Sequence, residues 1–61
     1  MYRELKSVGD KYTVYKVGKV YEVESHRIPV FRGTEIEAER FIARHPYGLT
    51  KAKAEALRIT Q

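Results

Sequence analysis

The chain has 61 residues, with twelve Lys and Arg against eight Asp and Glu and no cysteine. Such a length allows one domain with one small core, burying only about 60% of the surface the unfolded chain exposes, and without cysteine there is no disulfide or thiolate metal site. The first twenty residues hold no apolar run long enough for a signal peptide, and no segment approaches the ~20 apolar residues of a membrane span, so a soluble, cytoplasmic protein is expected.

Residues 11–17 (KYTVYKV) and 20–24 (VYEVE) are rich in Tyr, Val and Thr, residues that suit a pleated, half-buried surface. Gly18-Lys19 between them is the Gly-X form of a two-residue hairpin loop. That loop sets the register: Val17 faces Val20, Tyr15 faces Glu22, and Thr13 faces Glu24. Tyr12, Val14, Tyr21 and Val23 then share the other face, which is the core candidate. Residues 27–32 (RIPVFR) form a third strand that offers Ile28 and Val30 to the same core. Pro29 lacks an N–H, so this strand belongs at a sheet edge or bends there.

Thr34 begins a helix, because Thr34-x-x-Glu37 is a capping box in which each side chain reaches the other residue's backbone N–H. Glu35, Glu37 and Glu39 favour the positive end of the helix dipole. Ala38, Phe41, Ile42 and His45 recur at helical spacing on one side, with Arg40 and Arg44 on another. Pro46 stops the helix and Gly48 allows the turn. Thr50 caps a second helix over residues 50–60, with Leu49, Ala52, Ala56 and Ile59 inward; residues 57–60 (LRIT) either complete it or run as a short strand beside the sheet. The fold class is α+β: a small antiparallel sheet of about three strands packed on a capped helix, with a second short C-terminal helix, in a single domain over 1–61.

Charge is segregated along the chain. Residues 22–39 carry five Glu against Arg27 and Arg32, whereas residues 40–58 carry Arg40, Arg44, Lys51, Lys53 and Arg58 against Glu55 alone. Catalysis and metal binding find little support. His26 and His45 are far apart in sequence, with no cysteine to join them. Glu35 and Glu39 share a helix side, but no shielding to tune a carboxylate pair is evident. Ser25-His26 lacks a third orienting group, and Gly9, Gly18, Gly33 and Gly48 form no phosphate-binding pattern. The expectation is a non-enzymatic binding module with no catalytic residue, metal, cofactor or small-molecule substrate.

Two binding readings remain. Arg40, Arg44, Lys51, Lys53 and Arg58 outline a basic helical surface for nucleic-acid phosphates, with Tyr12, Tyr15, Tyr21, Tyr47 and Phe31 available to stack on bases where exposed. Alternatively, Tyr15, Val17, Val20, Glu22 and Glu24 on the outer sheet face form an amphipathic protein interface, as in a small regulator or inhibitor of phage or mobile-element type. Residues 34–45, the turn Pro46 to Leu49 and residues 50–60 also outline a helix-turn-helix, although that motif normally rests on a third helix.

The hairpin, the third strand, Gly33-Thr34 before the helix and Glu37-Ala38 within it resemble the arm-site DNA-binding domain of phage-type tyrosine recombinases and the related plant ethylene-response DNA-binding domain. The likeness spans Lys11 to His45. It implies a three-stranded sheet that reads the major groove, with Lys16, Lys19, Arg27 and Arg32 near DNA. The family pattern has a further strand end between its Gly-Thr and its helix that this chain lacks. Glu22 and Glu24 on the reading face would repel a duplex unless Arg27 or Arg32 neutralises them.

Overall fold

The structure is a computed structural model that describes the backbone of residues 3–8 and residues 11–59 in full. Four strands, β1 (Arg3–Val8), β2 (Tyr12–Val17), β3 (Val20–Ser25) and β4 (Ile28–Gly33), form one antiparallel sheet in chain order. Two helices follow, α1 (Glu35–Arg44) and α2 (Lys51–Leu57). The α+β architecture is thus present, with β2 to β4 as the three expected strands and β1 as a fourth.

The central hairpin has the expected register: Val17 pairs with Val20, Tyr15 with Glu22, and Thr13 with Glu24. Gly18 takes φ +62° at the first loop position, a conformation that costs glycine little. Tyr12, Val14 and Val23 consequently turn to one face, where Ile28, Val30, Ala38 and Ala54 complete the buried core and Tyr21, Phe41, Ile42, Leu49 and Leu57 pack around it. Complete burial of an aliphatic side chain of this size contributes roughly 1.5–3 kcal/mol. Among the described residues this core holds seven buried apolar side chains.

Helix α1 starts as the capping box dictates. Thr34 Oγ1 accepts from Glu37 N–H at 3.2 Å, and Glu37 Oε1 accepts from Thr34 N–H at 3.0 Å. Thr50 caps α2 in the simpler way, accepting from Lys53 N–H at 3.1 Å. Helix α1 packs on β3 and β4, and α2 packs on β4. The sheet carries both helices, so they do not form the helix-turn-helix outlined by the sequence.

Several expectations need correction. The third strand runs Ile28–Gly33, and Arg27 belongs to the preceding turn. In its pairing with β3, Val23 faces Phe31 while Glu24 faces Pro29, which leaves Val30 as an extra residue in a bulge. The bulge turns Phe31 to the helix side as well. There its ring stacks on Phe41, centroids 5.0 Å apart and planes at 21°, so Phe31 is no free stacking platform. Tyr12 is likewise buried, and Tyr21 packs against the core.

The inward residues of α2 are Ala54, fully buried, and half-buried Leu57, whereas Ala52 and Ala56 are exposed. Leu57, the large apolar residue of this short helix, sets its rotation, and Ala54 lies one turn before it. The helix ends at Leu57. Ile59 then donates its N–H to Pro29 O at 2.9 Å, which brings the chain back to the β4 edge.

Candidate nucleic-acid interface

Three connections meet at one end of the sheet: the approach to β2, the β3–β4 turn and the α1–α2 loop. Antiparallel pairing of Thr13 with Glu24 puts Tyr12 level with the turn that follows Ser25. Helix α1 leaves Gly33 at the opposite end of β4 and returns, delivering His45 to the hydroxyl of Tyr12. That hydroxyl donates to His45 O at 2.6 Å. Burial pushes the Tyr12 phenol above its ordinary pKa of 10.0, keeping it a donor.

The α1–α2 loop is tightly built. Gly48 N–H donates to His45 O at 3.1 Å, closing a four-residue turn with Pro46 and Tyr47 at its centre. Pro46 presets its own φ, and Gly48 adopts φ +82°. The alkyl chain of Lys11 lies against Gly48: a Cβ placed on this glycine would sit 3.1–3.4 Å from Lys11 Cδ, Cγ and Cβ. Next in the loop, Leu49 O accepts from His26 Nε2 at 2.6 Å. That bond ties the β3–β4 turn to the start of α2.

The β3–β4 turn is strained. His26 and Arg27 both have positive φ, 54° and 63°, the pattern of a type I′ hairpin turn in which Asn-Gly is preferred. Each non-glycine residue held there costs roughly 1–2 kcal/mol. The surrounding structure thus holds Arg27 exposed in an unfavourable conformation, and such outliers cluster at functional positions.

Two hollows open at this end. One, of about 400 Å³, is lined by Lys11, Tyr12, Thr13, Tyr15, Glu24, His26 and Arg27. The other, of about 270 Å³, is lined by Lys11, His26, Tyr47, Gly48 and Leu49. Among these lining residues Glu24 is the sole carboxylate, and it accepts from Tyr15 Oη at 3.4 Å.

The five basic residues of the helical surface, Arg40, Arg44, Lys51, Lys53 and Arg58, are all exposed. Three of them adjoin the loop end: Arg44 directly precedes His45, and Lys51 and Lys53 open α2 just after Leu49. Arg40 lies one turn earlier on α1. With Arg44, Phe31, Glu37 and Phe41 it lines a separate hollow of about 220 Å³. Arg58 closes the far end of α2. The five are thus carried by two helices, each of which packs on the sheet.

Of the residues tied to the recombinase likeness, Arg27 is at the loop end, while Lys19 is at the tip of the opposite hairpin. Lys16 pairs with Tyr21 and places its Nζ 6.0 Å from that ring, on the helix-bearing side. Arg32 is bound to Glu22: its Nε and Nη2 donate to Glu22 Oε2 at 3.0 and 2.6 Å. The repulsion expected from Glu22 is thereby neutralised, and Arg32 is the residue that does it.

The alternative interface is brought together by the register. Tyr15, Val17, Val20, Glu22 and Glu24 share the sheet face opposite the helices, and no described element covers that face. Tyr15, Val17, Val20 and Glu24 are half-buried among one another, and Glu22 is buried.

Sequence reasoning did not gather Lys11, His26 and Tyr47 into one place. No local signal does so, because they are joined only by strand pairing and by the return of α1. Among the described residues, no three His, Asp or Glu side chains are grouped to hold a metal ion. No described helix is long and apolar enough to cross a membrane. No protein-family model matches the chain, and no curated protein or solved structure matches it.

Proposed function

We propose that this chain is a small, non-enzymatic nucleic-acid-binding module whose loop end and adjoining helix ends contact phosphates. Charge placement carries this reading. Lys11 and Arg27 line the two hollows of the loop end, while Arg44 directly precedes His45 at the end of α1 and Lys51 and Lys53 open α2 just after Leu49. Glu35 and Glu37, meanwhile, lie at the start of α1, at the far end of the sheet. Phosphate binding by counterion release needs such clustering. Five cations scattered evenly over the surface would not supply it.

The test is a binding titration with labelled DNA between 50 and 200 mM salt. About four phosphate contacts give a log–log slope near −3.6, or roughly a hundredfold loss of affinity over that range. No binding at 50 mM salt overturns the reading.

A protein-binding role through the outer sheet face is the second reading. It is supported by the uncovered Tyr15–Val17–Val20 surface beside the neutralised Glu22–Arg32 pair. In that case Tyr15→Ala weakens capture of the partner more than Lys51→Gln or Lys53→Gln, because buried aromatic anchors dominate interfaces. The reverse order counts against it.

A further inference from the structure

We infer that the loop end is a site for single-stranded nucleic acid, with a base stacked on Tyr47 and the adjoining phosphate held by Lys11. The inference rests on the nucleic-acid reading above and specifies its ligand class.

Tyr47 is the starting observation. Its side chain is 89% exposed, although large aromatic groups normally bury most of their surface. It does not sit on a loose loop. Its peptide lies at the centre of the turn closed by Gly48 N–H and His45 O, with Pro46 on one side and Gly48 on the other. The same carbonyl accepts from the buried Tyr12 hydroxyl. The backbone that carries the ring is therefore fixed to the core, and stacking on it costs little ordering entropy.

The cation beside the ring is positioned too. Lys11 lays its alkyl chain on Gly48, next to Tyr47, and among the described residues that line it the Lys11–His26–Tyr47 hollow has no carboxylate. The larger hollow does contain one, Glu24, so the smaller hollow is the better seat for an anion. Arg27 adjoins His26 and extends the positive surface toward the next phosphate along the strand. An aromatic platform next to a backbone-tracking cation is the arrangement that binds unpaired nucleotides with little regard to base identity.

The preference for a single strand follows from the same geometry. A duplex hides its base faces, and its major groove admits a helix or a two-stranded ribbon. This end offers loops around a concavity of about 270 Å³. Stacking on Tyr47 requires a base free of its partner.

The experiment compares a labelled twelve-nucleotide DNA strand with its duplex at 50 mM salt, using wild type, Tyr47→Ala and Tyr47→Phe. Circular dichroism verifies that each variant folds, as expected for so exposed a position. The strand binds wild type about tenfold more tightly than the duplex. Tyr47→Ala removes roughly tenfold of that affinity with little change in salt slope, and Tyr47→Phe retains it. Equal or tighter duplex binding, or unchanged strand binding by Tyr47→Ala, overturns the single-strand inference and leaves phosphate binding standing. If neither nucleic acid binds wild type, the nucleic-acid reading falls with it.

Discussion

Arg32 grips Glu22 through two nitrogens on one carboxylate oxygen, with the Glu22 side chain 3% exposed and that of Arg32 35% exposed. A buried carboxylate on a sheet face that carries no helix depends on this partner. Removing one member of a fully buried pair costs about 3–5 kcal/mol, and partial hydration of Arg32 lowers the expectation to about 2–3 kcal/mol for Arg32→Met. Thermal melting then falls by about 8–24 °C, since 1 kcal/mol shifts a domain of this size by about 4–8 °C. Glu22→Leu with Arg32→Met recovers much of the loss, because no unpaired charge remains buried. A double variant as unstable as Arg32→Met alone contradicts this account.

The strained turn makes a prediction of opposite sign. Arg27→Gly relieves a non-glycine residue at φ 63° and stabilises the fold by about 1 kcal/mol, net of glycine's greater freedom in the unfolded chain. Salt-dependent DNA binding weakens in the same variant, as a loop-end cation is lost. Chemical denaturation checks the first effect and the titration checks the second. Lower stability would show that Arg27 makes compensating contacts.

The Tyr12 hydroxyl links the core to the α1–α2 loop at 2.6 Å. Tyr12→Phe costs about 1 kcal/mol, the net worth of a typical hydrogen bond. Its pH dependence has a definite sign. The folded phenol has a pKa above the ordinary 10.0, so above pH 10 the unfolded chain gives up this proton first. The stabilisation is complete below pH 10 and is lost as pH rises through the folded value. Denaturant midpoints at pH 8 and pH 11 therefore diverge more in wild type than in Tyr12→Phe, and equal divergence refutes the assignment.

Neutralising single cations separates phosphate contact from bystander charge. Arg44→Gln, Lys51→Gln and Lys53→Gln each reduce the salt slope by about one and weaken strand and duplex binding by similar factors. Lys19→Gln, at the opposite hairpin tip, leaves the slope unchanged. A slope that responds equally to Lys19 would remove the loop end's special status.

Thr34→Ala is the stability control. It removes the acceptor for Glu37 N–H at 3.2 Å and costs about 1 kcal/mol. The cap lies at the far end of α1 from His45, so affinity measured well below the melting temperature stays as in wild type.

Much of the fold is legible because its signals are local. Gly18-Lys19 sets a hairpin register, and from that register the period of two assigns Tyr12, Val14, Tyr21 and Val23 to one face. Thr34-x-x-Glu37 starts a helix through contacts that span three residues. Ala38, Phe41 and Ile42 follow at helical spacing. Strand β1 escaped because Leu5 and Val8, its apolar residues, are three apart. Its pairing with β2 is also interrupted, with Glu4 opposite Tyr15 and Lys6 opposite Val14. The Val30 bulge likewise defeated a strict alternation and moved Phe31 onto Phe41.

What the amino-acid order determined by itself is the set of turns, caps and alternating faces, since each depends on neighbours a few residues apart. Only the tertiary structure decided which charges and rings share a surface. Lys11 reaches Gly48, and His26 reaches Leu49, because antiparallel pairing aligns the start of β2 with the β3–β4 turn and α1 carries the chain back to the same end. The bulge and the return of α1 arise from packing across the whole sheet. No short stretch of sequence encodes where Tyr47 and Lys11 meet.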